Sequence, residues 1–361
     1  MKKRYFALGG AAVIVAAGVI GYFAFQRQIG EAMFRQAVAE NVGRDRGAEL
    51  PDGLHVFMCG SGSPMPDPTR AGPCVGVIAG SHAMVFDIGS GGARRLARMG
   101  FPVGRIETVY LTHLHSDHID GLGELMLQAW VGGSRAAPLP VAGPEGVSEV
   151  VGGFNAAYRI DSTYRTAHHG AAVANPAGFG GAAEVIAAPT GPGHTQVIRD
   201  QDGVKITVVA VNHAPVAPAF GYRIDYKGRS VVLSGDTTYS PDLVAAASGV
   251  DVLFHEALRP SMVAEMRDAA AAKGQPNIAK VMGDILDYHA SPEDAARAAT
   301  DAKARQLVLY HIVPPLPSPM LNAAFLGDAS KAFSGPITVA EDGLLVSLPA
   351  DGAAINQQVI R

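Results

Sequence analysis

Only two cysteines, Cys59 and Cys74, occur in 361 residues. That excludes a scaffold stapled by several disulfides, and their spacing does not suit a cysteine-built metal site. They flank the loop 60–73 between two strand-like runs, 54–58 and 75–79. A disulfide closing that loop and two free buried thiols are both compatible with this placement. Positive charge is also scarce: the formal net charge is −4, which leaves no electrostatic footprint for nucleic acid. Charge of either sign is missing from residues 5–25, which follow Lys2, Lys3 and Arg4. A segment of that length can span a bilayer as a helix, and the basic flank stays inside. No small-x-small site follows it closely; Ala37-Val38-Ala39 lies well downstream. Residues 1–28 therefore read as a membrane anchor or signal segment, with length favouring an uncleaved anchor. The expected location is extracytoplasmic or periplasmic.

What is present is apolar substance: 48% hydrophobic residues, with 43 glycines and 24 prolines. This suits a loop-rich α/β protein with a sizeable core, in one large domain or two ordinary ones. Residues 29–53 read as a linking helix and linker, and 54–361 as the main domain. Strands are predicted at 54–58, 75–79, 83–87, 106–111, 139–142, 204–211, 221–226, 230–233, 250–254 and 306–310. Helices are predicted at 93–99, 121–130, 144–158, 241–247, 261–273 and 292–304, the last with Ser291 as cap and Pro292 in its first turn. Residues 158–202, rich in Gly, Ala and Pro, read as an insertion over the active-site face.

The densest chemistry is Thr112-His113-Leu114-His115-Ser116-Asp117-His118-Ile119-Asp120-Gly121. It follows an apolar run that reads as a buried strand. In extended chain His113 and His115 project to one side, and a turn brings Asp117 and His118 round at a helix start. Imidazole and carboxylate in this arrangement suit zinc and similar first-row ions. Four more polar anchors stand where predicted strands end: His213, Asp236, the pair His255-Glu256, and His311. Such positions are where mixed α/β sheets collect their chemistry.

These residues resemble the metallo-β-lactamase superfamily, whose fold is a four-layer αββα sandwich of two similar halves. The resemblance runs from about residue 54 to 348. A finer similarity, to the branch of ribonuclease Z and the arylsulfatase-type phospho- and sulfohydrolases, is carried by Gly60-Ser61-Gly62-Ser63-Pro64 with Thr69-Arg70 and by Asp87-Ile88-Gly89. His213 with Pro215 and Phe220-Gly221-Tyr222-Arg223, Ser234-Gly235-Asp236-Thr237, Phe254-His255-Glu256-Ala257, His289-Ala290-Ser291 and His311 complete it. The resemblance implies two divalent metal ions, zinc by preference, with manganese or iron also accepted by such ligands. His113, His115 and His213 would hold one; Asp117, His118 and His311 the other; Asp236 would bridge them. A shared hydroxide would be the nucleophile, and His289 the general acid that protonates the leaving oxygen. Asp117 would orient the nucleophile or accept its proton, and His255 and Glu256 would hold the orientation of a ligand or of the acid, with His255 also a candidate for touching substrate. Asp87 would brace the motif loop. Arg70 and Ser63 are candidates for holding substrate, although a structural salt bridge suits Arg70 better.

Among activities, the acidic charge and the expected export argue against RNA processing, and no counterpart of a projecting RNA-gripping arm stands out. The expected substrate is a small phosphodiester or aryl sulfate, with no nucleic-acid partner. Lactone or β-lactam hydrolysis is the alternative chemistry. A non-catalytic metal-binding interaction protein is the alternative of another class; loss of ligands would signal it, and all seven are present. Homo-oligomerisation is open.

Overall fold

The computed structural model describes residues 2–360, with side chains from residue 21 onward. It divides into two units, Met1–Asp45 and Arg46–Arg361. The first is built on one helix, Lys2–Asn41, where two elements were expected. Past the apolar segment this helix carries Arg27, Glu31 and Arg35, paired at helical spacing, so side-chain pairs on successive turns support its continuation. Most of the expected anchor falls on residues whose side chains lie outside the description. Among the described residues no helix is long and apolar enough to cross a membrane, and the expected membrane-spanning helix is not supported.

The second unit contains fifteen strands among the described residues: β1 Gly53–Gly60, β2 Cys74–Ala79, β3 His82–Ile88, β4 Ile106–Tyr110, β5 Leu139–Gly143, β6 Gly181–Val185, β7 Thr195–Gln201, β8 Val204–Ala210, β9 Phe220–Tyr226, β10 Arg229–Leu233, β11 Val252–Leu258, β12 Gln306–Val313, β13 Ile337–Val339, β14 Leu344–Pro349 and β15 Asn356–Val359. One sheet runs β15-β14-β1-β2-β3-β4-β5-β6 and the other β13-β12-β11-β10-β9-β8-β7. Each is antiparallel on one side and parallel on the other, with β3 to β6 parallel in the first and β10 to β13 in the second. Parallel neighbours need long crossovers, and the helices Leu122–Gly133, Val147–His169, Pro260–Ala272 and Pro292–Asp301 lie in them.

Every residue of β1 is buried, which hides its alternation. Leu54, Val56 and Met58 face the core between the sheets, while Phe57 and Cys59 face a second core against helices. The sheets thus share a middle layer that includes Phe86, Tyr222, Phe254 and Tyr310. A third cluster packs helix Pro292–Asp301 on the other sheet through Ala295, Ala296, Ala298 and Ala299. Two sheets inside and helices outside make the expected four layers. Burial of each large side chain is worth about 1.5–3 kcal/mol, and it is this stacking that holds the loops at the strand ends. Cys59 and Cys74, on the paired strands β1 and β2, are joined by a disulfide with Cα atoms 5.0 Å apart.

Candidate metal centre

Parallel β4, β10 and β12 deliver their following residues to one edge of the two sheets. The turn after β4 brings His113, His115, Asp117 and His118; β10 leads into Gly235-Asp236; and His311 lies late in β12. His213 follows β8 in an isolated bridge with Val216. Two residues here hold left-handed backbone without being glycine, Asp87 at φ 53° and His311 at φ 49°. Such conformations persist where surrounding structure over-determines them.

The ligand atoms of His113, His115, His213 and Asp236 lie within 4.8 Å of one another, as do those of Asp117, His118 and His311. Asp236 Oδ2 stands between the groups, 3.2 Å from His311 Nε2, 3.4 Å from His118 Nε2 and 3.9 Å from His113 Nε2. Asp117 Oδ2 is 3.3 Å from His311 Nε2 and 3.6 Å from His118 Nε2. His113 Nε2 faces His115 Nδ1 at 3.0 Å.

The outward ring atoms are pinned. His118 Nδ1 is 2.8 Å from Asp87 Oδ2, and the same carboxylate accepts from the Thr112 amide and hydroxyl. His213 Nδ1 donates to the Tyr288 carbonyl at 3.0 Å. Each bond leaves Nε2 as the atom presented to the cluster, the usual way a ligand imidazole is oriented. The brace expected of Asp87 is present.

The centre's electrostatics are those of lone pairs crowded together. Burial pushes His113, His115 and His213 below their ordinary range. Burial opposes charge on His118 too, but Asp236 and Asp87 hold it well above the imidazole range. Asp236 is kept well below the carboxylate range, against its burial, by His311, His118 and His113. His118 Nε2 and Asp236 Oδ1, both at the cluster, are buried without a hydrogen-bond partner. Orphaned polar atoms in a protein interior cost about 1–3 kcal/mol each. A cation accepting these lone pairs removes that cost, so the donor set fits divalent metal ions.

His289 joins the cluster from outside the strands. Its Nδ1 is 2.9 Å from Glu256 Oε1, and its ligand atom groups with Asp236 and His311. Burial disfavours its charge, yet the Glu256 carboxylate and its hydrogen bond outweigh burial and raise the imidazole to about 9. Glu256 Oε1 also accepts from the amides of Thr237 and Ala290, tying the Asp236 loop to the His289 loop. His255 is fully buried and bonds through Nδ1 to the Glu256 carbonyl. It does not line the cavity above the centre, whereas Ser63 does. Arg70 is not brought there: its guanidinium bonds to the carbonyls of Ala340 and Leu316 and faces Asp67.

That cavity has a volume of about 500 Å³. One wall comes from loop 63–66. The other comes from helix Pro276–Asp284 and the turn after it, an element absent from the predicted helices. A signal for it exists in the sequence, in Ile278, Val281, Met282 and Ile285 at helical spacing. Residues 158–202 were expected over this face, but none lines the cavity. They finish helix Val147–His169 and add an edge strand to each sheet, β6 and β7.

Comparison with known proteins bears on the same residues. The family described as "Beta-lactamase superfamily domain" matches residues 85–312. The protein named Ribonuclease Z of Mycobacterium avium (strain 104) is 37% identical over 291 residues, covering 80% of this chain and 96% of that protein. The Ribonuclease Z of Mycobacterium bovis (strain BCG / Pasteur 1173P2) is 38% identical over 291 residues, with the same coverage of 80% and 96%. Among solved structures, human tRNase Z, short form, aligns with a TM-score of 0.57 at 22% identity, covering 82% of this chain and 99% of that one; this likeness speaks to the fold alone.

These matches correct three expectations. A small phosphodiester or aryl sulfate substrate is overturned by relatives that span most of the chain and are named for a ribonuclease. The exclusion of nucleic acid falls with it, because a whole-chain charge averages over the surface and does not report a local field. Arg70, Arg94, Arg95 and Arg98 border one surface cleft, and three of them face a carboxylate there: Asp67 for Arg70, Glu124 for Arg94 and Asp342 for Arg95. The exported, periplasmic, membrane-anchored placement is corrected on the same matches to proteins named for a ribonuclease.

Proposed function

We propose that this chain, which belongs to the β-lactamase superfamily and within it to the ribonuclease Z branch, is a metal-dependent hydrolase of phosphodiester bonds in RNA. The observation that carries the reading is the convergence of seven His and Asp side chains on one buried cluster at the floor of an open cavity. In this reading His113, His115 and His213 would hold one divalent ion and Asp117, His118 and His311 the other, with Asp236 Oδ2 lying 3.2–4.0 Å from four of these imidazoles. When bound, such ions supply Lewis acidity at the phosphoryl oxygens and lower the pKa of water towards neutrality.

The remaining work falls to the chain's own groups. Glu256 engages His289 Nδ1, so the proton available for transfer sits on Nε2, on the side of Asp236 and His311. A raised imidazole pKa keeps that proton in place near neutral pH, as a general acid toward the departing ribose oxygen requires. Asp117, which faces the His311 and His118 rings, would orient the attacking group. His255 supports Glu256 from beneath and takes no part at the reacting atoms. Ser63, whose buried hydroxyl lacks a partner, is available to a substrate oxygen.

The test is cleavage of an RNA that combines a transfer-RNA fold with single-stranded extensions, with metal content measured on the same preparation. We expect cleavage that is lost in Asp236→Ala together with most bound metal. A metal-loaded wild-type enzyme that leaves every such RNA intact would overturn the reading.

A further inference from the structure

The cavity wall opposite loop 63–66 is built in an unusual way for a site that handles phosphate. Ile278, Val281, Met282 and Ile285 form one stripe. Met282 and Ile285 have partners in a small core with Leu258, Val263 and Val313. Ile278 and Val281 do not, and stay 48% and 52% exposed. Met65 from the loop packs on the same small core and also lines the cavity, and the Tyr288 ring lies 4.7 Å from the His289 ring. Among the described residues, this helix side of the cavity offers no side-chain hydrogen-bonding group except the Tyr288 hydroxyl.

Apolar surface left open inside a catalytic cavity is stabilised when the substrate covers it. A phosphate or ribose gains nothing from such a wall. A nucleobase does, because every base has apolar faces, and face contact is tolerant of base identity. At about 500 Å³ the cavity has the size of a small-ligand site and is too small for a duplex, so the base must be unpaired. Resting on the RNA-hydrolase reading above, we propose that Met65, Ile278, Val281, Ile285 and Tyr288 form a platform for one unpaired base beside the scissile phosphate. The base is held by its faces and its identity is not read.

The test compares kcat/KM of the full-length, metal-loaded enzyme on RNAs that differ only at the nucleotide next to the cleaved bond: each of the four bases, or an abasic residue. The wild type is expected to lose roughly tenfold on the abasic RNA, the scale of one stacked base, and to vary by only about threefold among the four bases. The double variant Ile278→Ala/Val281→Ala keeps helix propensity and removes side chains that are half exposed, and melting temperature and metal content verify that it is intact. It should be slower on every base-bearing RNA and show an abasic penalty of about threefold or less. An equal rate of the wild type on abasic and base-bearing RNA would overturn the platform, as would an undiminished abasic penalty in the double variant. Strong preference for one base would overturn the claim that identity is not read. Failure to cleave any RNA would remove the hydrolase reading and the platform together, whereas cleavage without a base effect removes the platform alone.

Discussion

Replacing Glu256 by Gln removes one charge from beneath His289 while leaving an oxygen of the same reach. The Gln carbonyl can still accept from the Thr237 amide at 3.0 Å, from the Ala290 amide at 3.3 Å and from His289 Nδ1 at 2.9 Å. Geometry is therefore retained and the electrostatics are changed. Glu256 is the main group lifting His289 to about 9 against its burial. Without it the imidazole falls to or below its ordinary value of about 6.5. If His289 must be protonated to act, at pH 8 its active fraction drops from about nine-tenths to about 3%, roughly a 30-fold loss of kcat; at pH 6 the loss is less than about twofold. Bound cations lower the imidazole in both enzymes, so the observable is the displacement of the alkaline limb to lower pH and not its absolute position. The assay is kcat on the RNA substrate from pH 5 to 9, with metal content and melting temperature recorded for both proteins. The same fractional loss at pH 6 and pH 8 would refute the reasoning, because a structural defect scales the whole profile. An unchanged profile would remove His289 as the acid.

Three further perturbations probe the frame of the site. Gly235 has φ 61°, and a Cβ there would lie 2.4 Å from the Phe220 carbonyl oxygen; Gly235→Ala should displace Asp236 and lower bound metal, read by elemental analysis, and full loading would refute this. Trp130 is fully buried and donates from Nε1 to the Asn175 carbonyl at 2.7 Å, so Trp130→Ala should cost about 3–5 kcal/mol in urea unfolding, and a loss below about 1 kcal/mol would show that the helix does not depend on it. Burial works against the Asp251 carboxylate, but Arg229, the Ser230 amide and Arg305 hold it below its ordinary range. A carboxyl lowered on folding adds stability above its unfolded pKa of about 3.9 and loses it as pH falls through the folded value. Asp251→Asn should therefore be less stable than wild type at pH 7, with the gap narrowing below about pH 4; a pH-independent gap would contradict the linkage.

The predicted strands from 54 to 111 and from 204 to 310 correspond to observed ones, because buried strands need continuous apolar runs and turns need glycine and proline, both local properties. The weak elements are hidden for the converse reason. β6 and β15 are largely exposed edge strands, and little in their composition marks them. The glycine-rich stretch 170–194 likewise gives no hint that the next residues pair with β8.

Ligand chemistry is legible in the chain itself. His113, His115, Asp117 and His118 are close in sequence, and His213, Asp236 and His311 each follow or end an apolar run, so a strand edge can be assigned to every one of them. Only the tertiary structure decided what surrounds them. It supplied the contact by which Glu256, expected from the resemblance to support the acid, meets His289 Nδ1 at 2.9 Å, turned Arg70 to the carbonyls of Ala340 and Leu316, and laid helix Pro276–Asp284 along the cavity. It also gathered arginines from residues 70 to 98 onto one cleft. Residue identity and spacing determine which groups can bind and titrate, since those are properties of side chains and of short-range geometry. Which groups meet, and which face water or substrate, follows from how two sheets stack, and that is settled by contacts between residues far apart in the chain.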